Sequence, residues 1–364
     1  MSGVQRVAVS MGDPTGIGPE VTLAALRRRP LRRVLTPILV GDLAVYEVAA
    51  ARLGMPARFV EWAPPAPLPR GAVPVRVVTR LAPRDRPPGR PSLAGGRAAY
   101  AAVVEAVRLV RSGCADALTT APICKANLVA AGLPITGHTE LLAGMCGGVP
   151  VRMMMVGARL RVVLVTTHLA LGAVPVTLTL PLVRETLVVA ERALRDHFGF
   201  GRPRLGVAGL NPHAGEQGVF GDEEIRIIGP AVRAARRCGI DARGPFAADS
   251  LFPRALQGHF DAVVCMYHDQ GLAPFKLLHF ADGVNVTVGL PFVRTSPDHG
   301  TAHDIAGRGV ADDRSMAAAL RLAAVLAGHR RAHAHATAQR TRAARSGRTS
   351  RVTARHHAGE PSAL

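Results

Sequence analysis

Lysine is almost absent from this chain. Only Lys125 and Lys276 occur in 364 residues, although Lys and Arg together number 45. Asparagine is equally scarce, at Asn127, Asn211 and Asn285. A bias that replaces lysine nearly everywhere with arginine reads as genome composition rather than ligand selection. It makes the exceptions informative, because lysine is a compact, tunable point charge that arginine cannot replace. The five cysteines are Cys114, Cys124, Cys146, Cys238 and Cys265. They include no C-x-x-C pair and are odd in number, so reduced, mostly buried thiols are expected. Apolar runs stay short of the ~18 residues that a spanning helix needs. Residues 1–6 lack a charged region leading into an apolar one, so no signal peptide is expected, and the expected location is cytoplasmic.

The formal net charge of +19 invites a nucleic-acid reading. Its distribution argues against specific recognition. Residues 329–364 carry eight arginines against one acid, Glu360. Elsewhere arginine is scattered through helical patterns rather than gathered on one motif. The tail shows no periodicity and reads as disordered.

What the chain does have is a repeated strand end. Ala262–Met266 is an apolar run that reads as a buried strand and delivers Tyr267-His268-Asp269-Gln270-Gly271 at its C-terminal edge. Open α/β sheets place their ligands at that edge. Arg161–Thr167 runs into His168 in the same way, and Arg204–Leu210 runs into Asn211-Pro212-His213. Adjacent strands lie ~4.8 Å apart, so three such ends can converge on one ion. Three neutral imidazoles with an open position suit a catalytic zinc. After His268 come Lys276, Asn285, Arg294 and Asp298-His299-Gly300-Thr301. That set of charges and amides suggests a site for a small anion.

Read in order, Val7–Ser10 is a strand. Met11–Glu20 turns into a helix from Pro19, as a cleft wall or simply a tight turn. A strand–helix unit covers Ile38–Leu53 and closes at Gly54. Residues 64–91 are Pro-rich and read as an irregular surface connection. Ala98–Val110 is an amphipathic helix, and Ala115–Thr120 a strand that leads to Lys125. Gly137-His138-Thr139-Glu140 precedes a helix, and His138 is either an anion ligand there or a loop residue without one. Val183–Phe198 is helical. Asp249 is either a helix cap or a partner for a metal histidine. Ser315–Ala327 is the last clear helix. This alternation predicts an α/β fold with largely parallel sheets.

Taken together, these motifs resemble the 4-hydroxythreonine-4-phosphate dehydrogenase family of vitamin B6 biosynthesis. The carriers are Met11–Glu20, Gly137–Glu140, Thr166–His168, Asn211–Glu216, Tyr267–Gly271 and the run from Asp282 to Gly307. The resemblance covers roughly residues 4–328 and leaves the tail outside it. It implies a two-domain isocitrate/isopropylmalate dehydrogenase-like fold with a cleft between domains. We expect residues 1–137 with 290–328 in one domain, 138–289 in the other, and 329–364 as a basic tail. It implies a homodimer with shared active sites and a divalent metal (Zn, Mg or Co) on His168, His213 and His268. Substrate contacts would be His138, Thr139, Lys276, Asn285 and Arg294. Asp298, His299, Gly300 and Thr301 would form the adenine-side loop for NAD or NADP.

The implied reaction oxidises 4-phosphohydroxy-L-threonine at its 3-hydroxyl and decarboxylates the product to 3-amino-2-oxopropyl phosphate. Lys276 or Arg294 would hold anionic groups, and the hydroxyl proton would pass to Asp249, Asp269 or a water on the metal. Two other readings compete. One is a dehydrogenase of a phosphorylated sugar acid, phospho-threonate or phospho-erythronate. The other is a basic nucleic-acid-binding protein. We expect a small phosphorylated substrate, no specific nucleic acid and no membrane.

Overall fold

A computed structural model describes residues 3–133 and 137–356. Its strands are β1 (Gln5–Ser10), β2 (Leu35–Gly41), β3 (Phe59–Glu61), β4 (Val73–Val77), β5 (Ala117–Thr120) and β6 (Arg152–Val156). They continue as β7 (Arg161–Leu164), β8 (Arg204–Ala208), β9 (Asp241–Phe246), β10 (Ala262–Cys265), β11 (Val284–Val288) and β12 (Val293–Pro297). The helices begin with α1 (Gly18–Leu26), α2 (Arg29–Arg32), α3 (Leu43–Arg52), α4 (Leu93–Arg111), α5 (Lys125–Ala130) and α6 (His138–Met145). The rest are α7 (Val174–Thr177), α8 (Leu180–Asp196), α9 (Gly229–Arg237), α10 (Ala248–Leu256), α11 (His268–His279) and α12 (Arg314–His356). The α/β class is as expected.

All the strands join one sheet, in the order β3-β4-β2-β1-β5-β12-β11-β6-β7-β10-β8-β9. Two parallel blocks lie at its ends. An antiparallel seam joins them, through β12–β11, β11–β6 and β6–β7. The sheet is largely parallel, as expected, with this seam as the exception. Strands from residues 1–137 and 290–328 lie on one side of the β12–β11 junction, and those from 138–289 on the other. Central strands are buried throughout, as at Val7, Ala8 and Val9, or Val263 and Val264. Such strands read as continuous apolar runs because helices cover both faces.

Local chemistry sets the helix boundaries. Asp42 caps α3 by accepting bonds from Ala44 N (2.9 Å) and Val45 N (3.3 Å). The Ser92 hydroxyl does the same for α4 at Gly95 N (2.9 Å). Gly54 and Gly113 follow α3 and α4 with positive φ, as helix-terminating glycines do.

Three further expectations are corrected. The Pro-rich connection of residues 64–91 contains β4, which pairs with β2 and β3. Its Val-Pro-Val-Arg-Val alternation is short and hidden among prolines. The tail expected to be disordered instead continues α12 to His356. It is rich in alanine and arginine, which are strong helix formers. Arg330 donates to Pro291 O (2.6 Å), Arg331 pairs with Asp116 (2.8 Å) and His333 with Asp196 (3.3 Å). Residues 357–364 lie outside the described residues. Finally, all five cysteines are free, but only Cys265 is fully buried.

Among the described residues no single helix is long and apolar enough to cross a membrane. The contacts of residues 330–333 are exposed ion pairs and one hydrogen bond, each worth at most ~1 kcal/mol. Truncation after Gly328 is therefore expected to leave the core's thermal transition within about 5 °C. It should also weaken non-specific DNA binding. Salt-steep DNA binding retained by the truncated core, measured by fluorescence anisotropy, would move the polyanion site into the core.

Candidate active site

The three histidine-bearing strand ends are neighbours in space. β7, β10 and β8 are adjacent and parallel. Side chains stitch their ends together. Thr166 Oγ1 donates to Met266 O (2.7 Å). Gln270 Oε1 accepts from Met266 N, and its Nε2 donates to Gly209 O, both at 2.7 Å. Gln270 thus ties the β10 end to the β8 end. The His168 and His268 rings face each other with centroids 5.9 Å apart. His268 Nδ1 lies 2.6 Å from Asp269 Oδ1, which orients that ring. Burial, with Lys125 and His268 nearby, lowers the His168 pKa and favours the neutral, ligating imidazole.

His213 packs on Phe220, with centroids 6.0 Å apart. The loop from His213 to Gln217 has positive φ at every residue, an unfavourable conformation for all but Gly215. Buried Glu224 holds the base of this loop. Its Oε1 accepts from Leu210 N (2.7 Å) and Asn211 N (2.8 Å). Among the described residues, no group of three His, Cys, Asp or Glu side chains is arranged to hold a metal ion within one chain. The imidazoles suit a divalent metal in kind and in sheet position, with His213 still to be brought in.

Asp249 is exposed in the first turn of α10, and its Oδ1 accepts from Ser250 N (2.7 Å). The helix cap is Ala247, so the capping reading is corrected.

Beside the histidines a cleft of about 540 Å³ opens over the antiparallel seam. Its walls hold His138 and Thr139 at the start of α6, Asn285 of β11, Arg294 of β12, and Lys276 of α11. Asp298, His299 and Gly300 form its rim, and Lys125 and His168 complete it. Thr301 instead faces the turn before α1, where its carbonyl accepts from Ile17 N (2.9 Å).

The Arg294 guanidinium is fully buried. Nη1 donates to Thr287 Oγ1 (2.8 Å) and Nη2 to Thr120 Oγ1 (2.6 Å). Burial pulls its pKa down to about 9, against the attraction of Glu140. Among the described residues its Nε has no partner, and neither do His138 Nε2, Asn285 Oδ1 and His299 Nε2. Buried polar groups are normally satisfied. Four unsatisfied atoms around one cleft point to a polar, anionic ligand. Lys276 pairs with Asp298 at 2.6 Å.

Residues 33–323 match the family described as pyridoxal phosphate biosynthetic protein PdxA. The 4-hydroxythreonine-4-phosphate dehydrogenase of Geobacter metallireducens is 50% identical over 88% of this chain and 95% of its own length. The chain belongs to the PdxA family. The D-threonate 4-phosphate dehydrogenase of Cupriavidus necator is 45% identical, over 89% of this chain and 98% of its own. A crystal structure of the Klebsiella pneumoniae 4-hydroxythreonine-4-phosphate dehydrogenase aligns with TM-score 0.81 at 41% identity. That alignment covers 89% of this chain and 98% of the other.

Several residues of this PdxA-family site carried little or no signal. Gln270 reaches Gly209 O across 61 positions and Glu224 reaches Leu210 N across 14, and no motif spacing reveals either. Lys125 was detectable only as one of two lysines. Burial, then Arg294 and Lys125, holds the His138 imidazole well below its ordinary value of 6.5. Burial likewise takes His197 down to about 4. Below pH 6.5 the unfolded chain takes up protons at these positions and the folded chain does not. Unfolding free energy should therefore fall as the pH drops below about 6.5. In urea titrations His138→Gln is expected to make that slope shallower, and an unchanged slope would refute the assignment.

Proposed function

We propose that this chain oxidises 4-phosphohydroxy-L-threonine at its 3-hydroxyl with NAD or NADP. The β-keto acid then loses carbon dioxide to leave 3-amino-2-oxopropyl phosphate, in pyridoxal phosphate biosynthesis. One observation carries the reading. In a chain of this family, the unpartnered atoms of Arg294, His138, Asn285 and His299 surround one cleft.

The roles follow from the chemistry of each group. Arg294, poorly screened by water, offers its Nε to phosphate or carboxylate. Lys125 adds a second positive charge on the same wall. Lys276 is held by Asp298 until an anionic group of the substrate competes for it. His138 and Thr139 hydrogen-bond the substrate, and His138 does so without adding charge. Asp269 orients His268. Bound at this site, a nicotinamide would supply the hydride acceptor for C3 and a divalent metal (Zn, Mg or Co) the Lewis acid for its oxygen.

His168, His213 and His268 would hold that metal. Exposed Leu171, Val176, Val219 and Phe220 follow two of these histidines in sequence. They support a homodimer whose partner covers this edge and completes the active site. The β12–β11 junction is our border between the two domains, with the cleft across it. The five free thiols fit a reducing, cytoplasmic setting.

The test is a substrate panel read by NAD(P)H absorbance with trapped carbon dioxide. Both signals are expected from 4-phosphohydroxythreonine. Turnover confined to phospho-threonate or phospho-erythronate would replace this reading with the sugar-acid one. For the metal, His168→Ala, His213→Ala and His268→Ala should each lose bound metal, since each removes one of three protein ligands. One equivalent of metal retained in the His213 variant, by elemental analysis, would exclude it from the centre.

A further inference from the structure

The turn before α1 has no part in the proposed chemistry, yet it contains a carboxylate with no exposed surface, Asp13. Its bonds run in two directions. Oδ1 accepts from Thr15 N (2.9 Å) and Thr15 Oγ1 (2.6 Å). Oδ2 accepts from Asn127 Nδ2 (2.8 Å), on α5. The same Oδ2 lies 3.7 Å from His303 Nε2.

Each contact leads to a wall of the cleft. Asn127 lies two residues after Lys125. His303 lies on the loop that begins at Asp298, and Thr301 Oγ1 is 3.3 Å from its Nδ1. Thr15 Oγ1 lies 3.4 Å from His303 Nε2, so its hydroxyl serves Asp13 and the loop together. The backbone repeats the link. Ile17 N donates to Thr301 O (2.9 Å) and Asp13 N to Pro122 O (2.8 Å). A Cβ at Gly16 would sit 2.8 Å from Thr301 O, so the loop rests directly on the turn.

We infer that Asp13 is a positioning residue that holds α5 and the loop from Asp298 to His303 in register as walls of one cleft. Among the described residues no Lys or Arg pairs with Asp13, and such a buried carboxylate is stable only while its donors stay in place. It therefore fixes both segments at once. Its effect on nucleotide binding rests on our reading of the loop as the NAD(P) site.

Asp13→Asn tests this. The variant turns an acceptor towards Asn127 Nδ2 into a donor, with almost no change in shape. Amides of residues 125–130 and 299–303 are expected to exchange hydrogen faster, each by ~10-fold or more, as local opening becomes easier. KM for the nucleotide should rise ~10-fold while kcat changes less than ~3-fold. The double variant Asp13→Asn with Asn127→Asp reverses donor and acceptor and should restore both readouts. Asn127→Ala should loosen residues 125–130 alone, and it decides the α5 link should Asp13→Asn fail to fold.

Unchanged exchange in either segment of Asp13→Asn overturns the inference, whatever the loop binds. Loosening without a rise in nucleotide KM also overturns it, provided that His299→Ala raises that KM. If His299→Ala leaves the nucleotide KM unchanged, the nucleotide reading fails, and hydrogen exchange still decides the positioning role.

Discussion

The structure turns on one buried cation. Arg294 sits inside the sheet on β12, bonded to hydroxyls from β5 and β11 and, among the described residues, to no carboxylate. Breaking a buried ion pair costs ~3–5 kcal/mol, because an uncompensated charge remains in low dielectric. A protein that keeps such a charge without a partner is built to receive one. The three unpartnered neighbours belong to different elements, α6, β11 and the loop after β12. The cleft is therefore assembled around the place where an anion settles that charge.

The antiparallel seam makes this possible. Two parallel blocks would each present ligands only at their own strand ends. Inserting β11 and β6 between them sets strand faces, not only edges, into the cleft wall. Asn285 stands on β11 and Arg294 on its neighbour β12. The histidine edge of β7, β10 and β8 lies beside the seam, so His168 borders the anion site. Gln270 and Glu224 hold that edge through backbone groups, which lets the side chains that carry charge remain free.

Where expectation and structure differ, the causes are physical. The tail lacks an amphipathic pattern, so it looked unstructured. Yet helix formation there needs only favourable propensity and continuity with α12, which already packs on the sheet. Asp249 resembled a cap because it precedes a helix, but the cap of α10 falls two residues earlier, at Ala247. His213 matched its two counterparts in sequence, but it opens a run of left-handed residues that His168 and His268 do not share. Pairing alone reveals β4, because five residues flanked by prolines show too little periodicity.

Much of the site could be read from the amino-acid sequence alone. Apolar runs ending in polar motifs identified the strands that carry His168, His213 and His268, because burial and alternation are local properties. The scarcity of lysine singled out Lys125 and Lys276, and both line the cleft. Only the tertiary structure decided that Arg294 lies sealed between Thr120 and Thr287, residues 174 and 7 positions away. Only it tied Asp13 to Asn127 across 114 positions. Such bonds depend on which strands become neighbours. That order follows from packing the whole sheet, and no short stretch of sequence contains it.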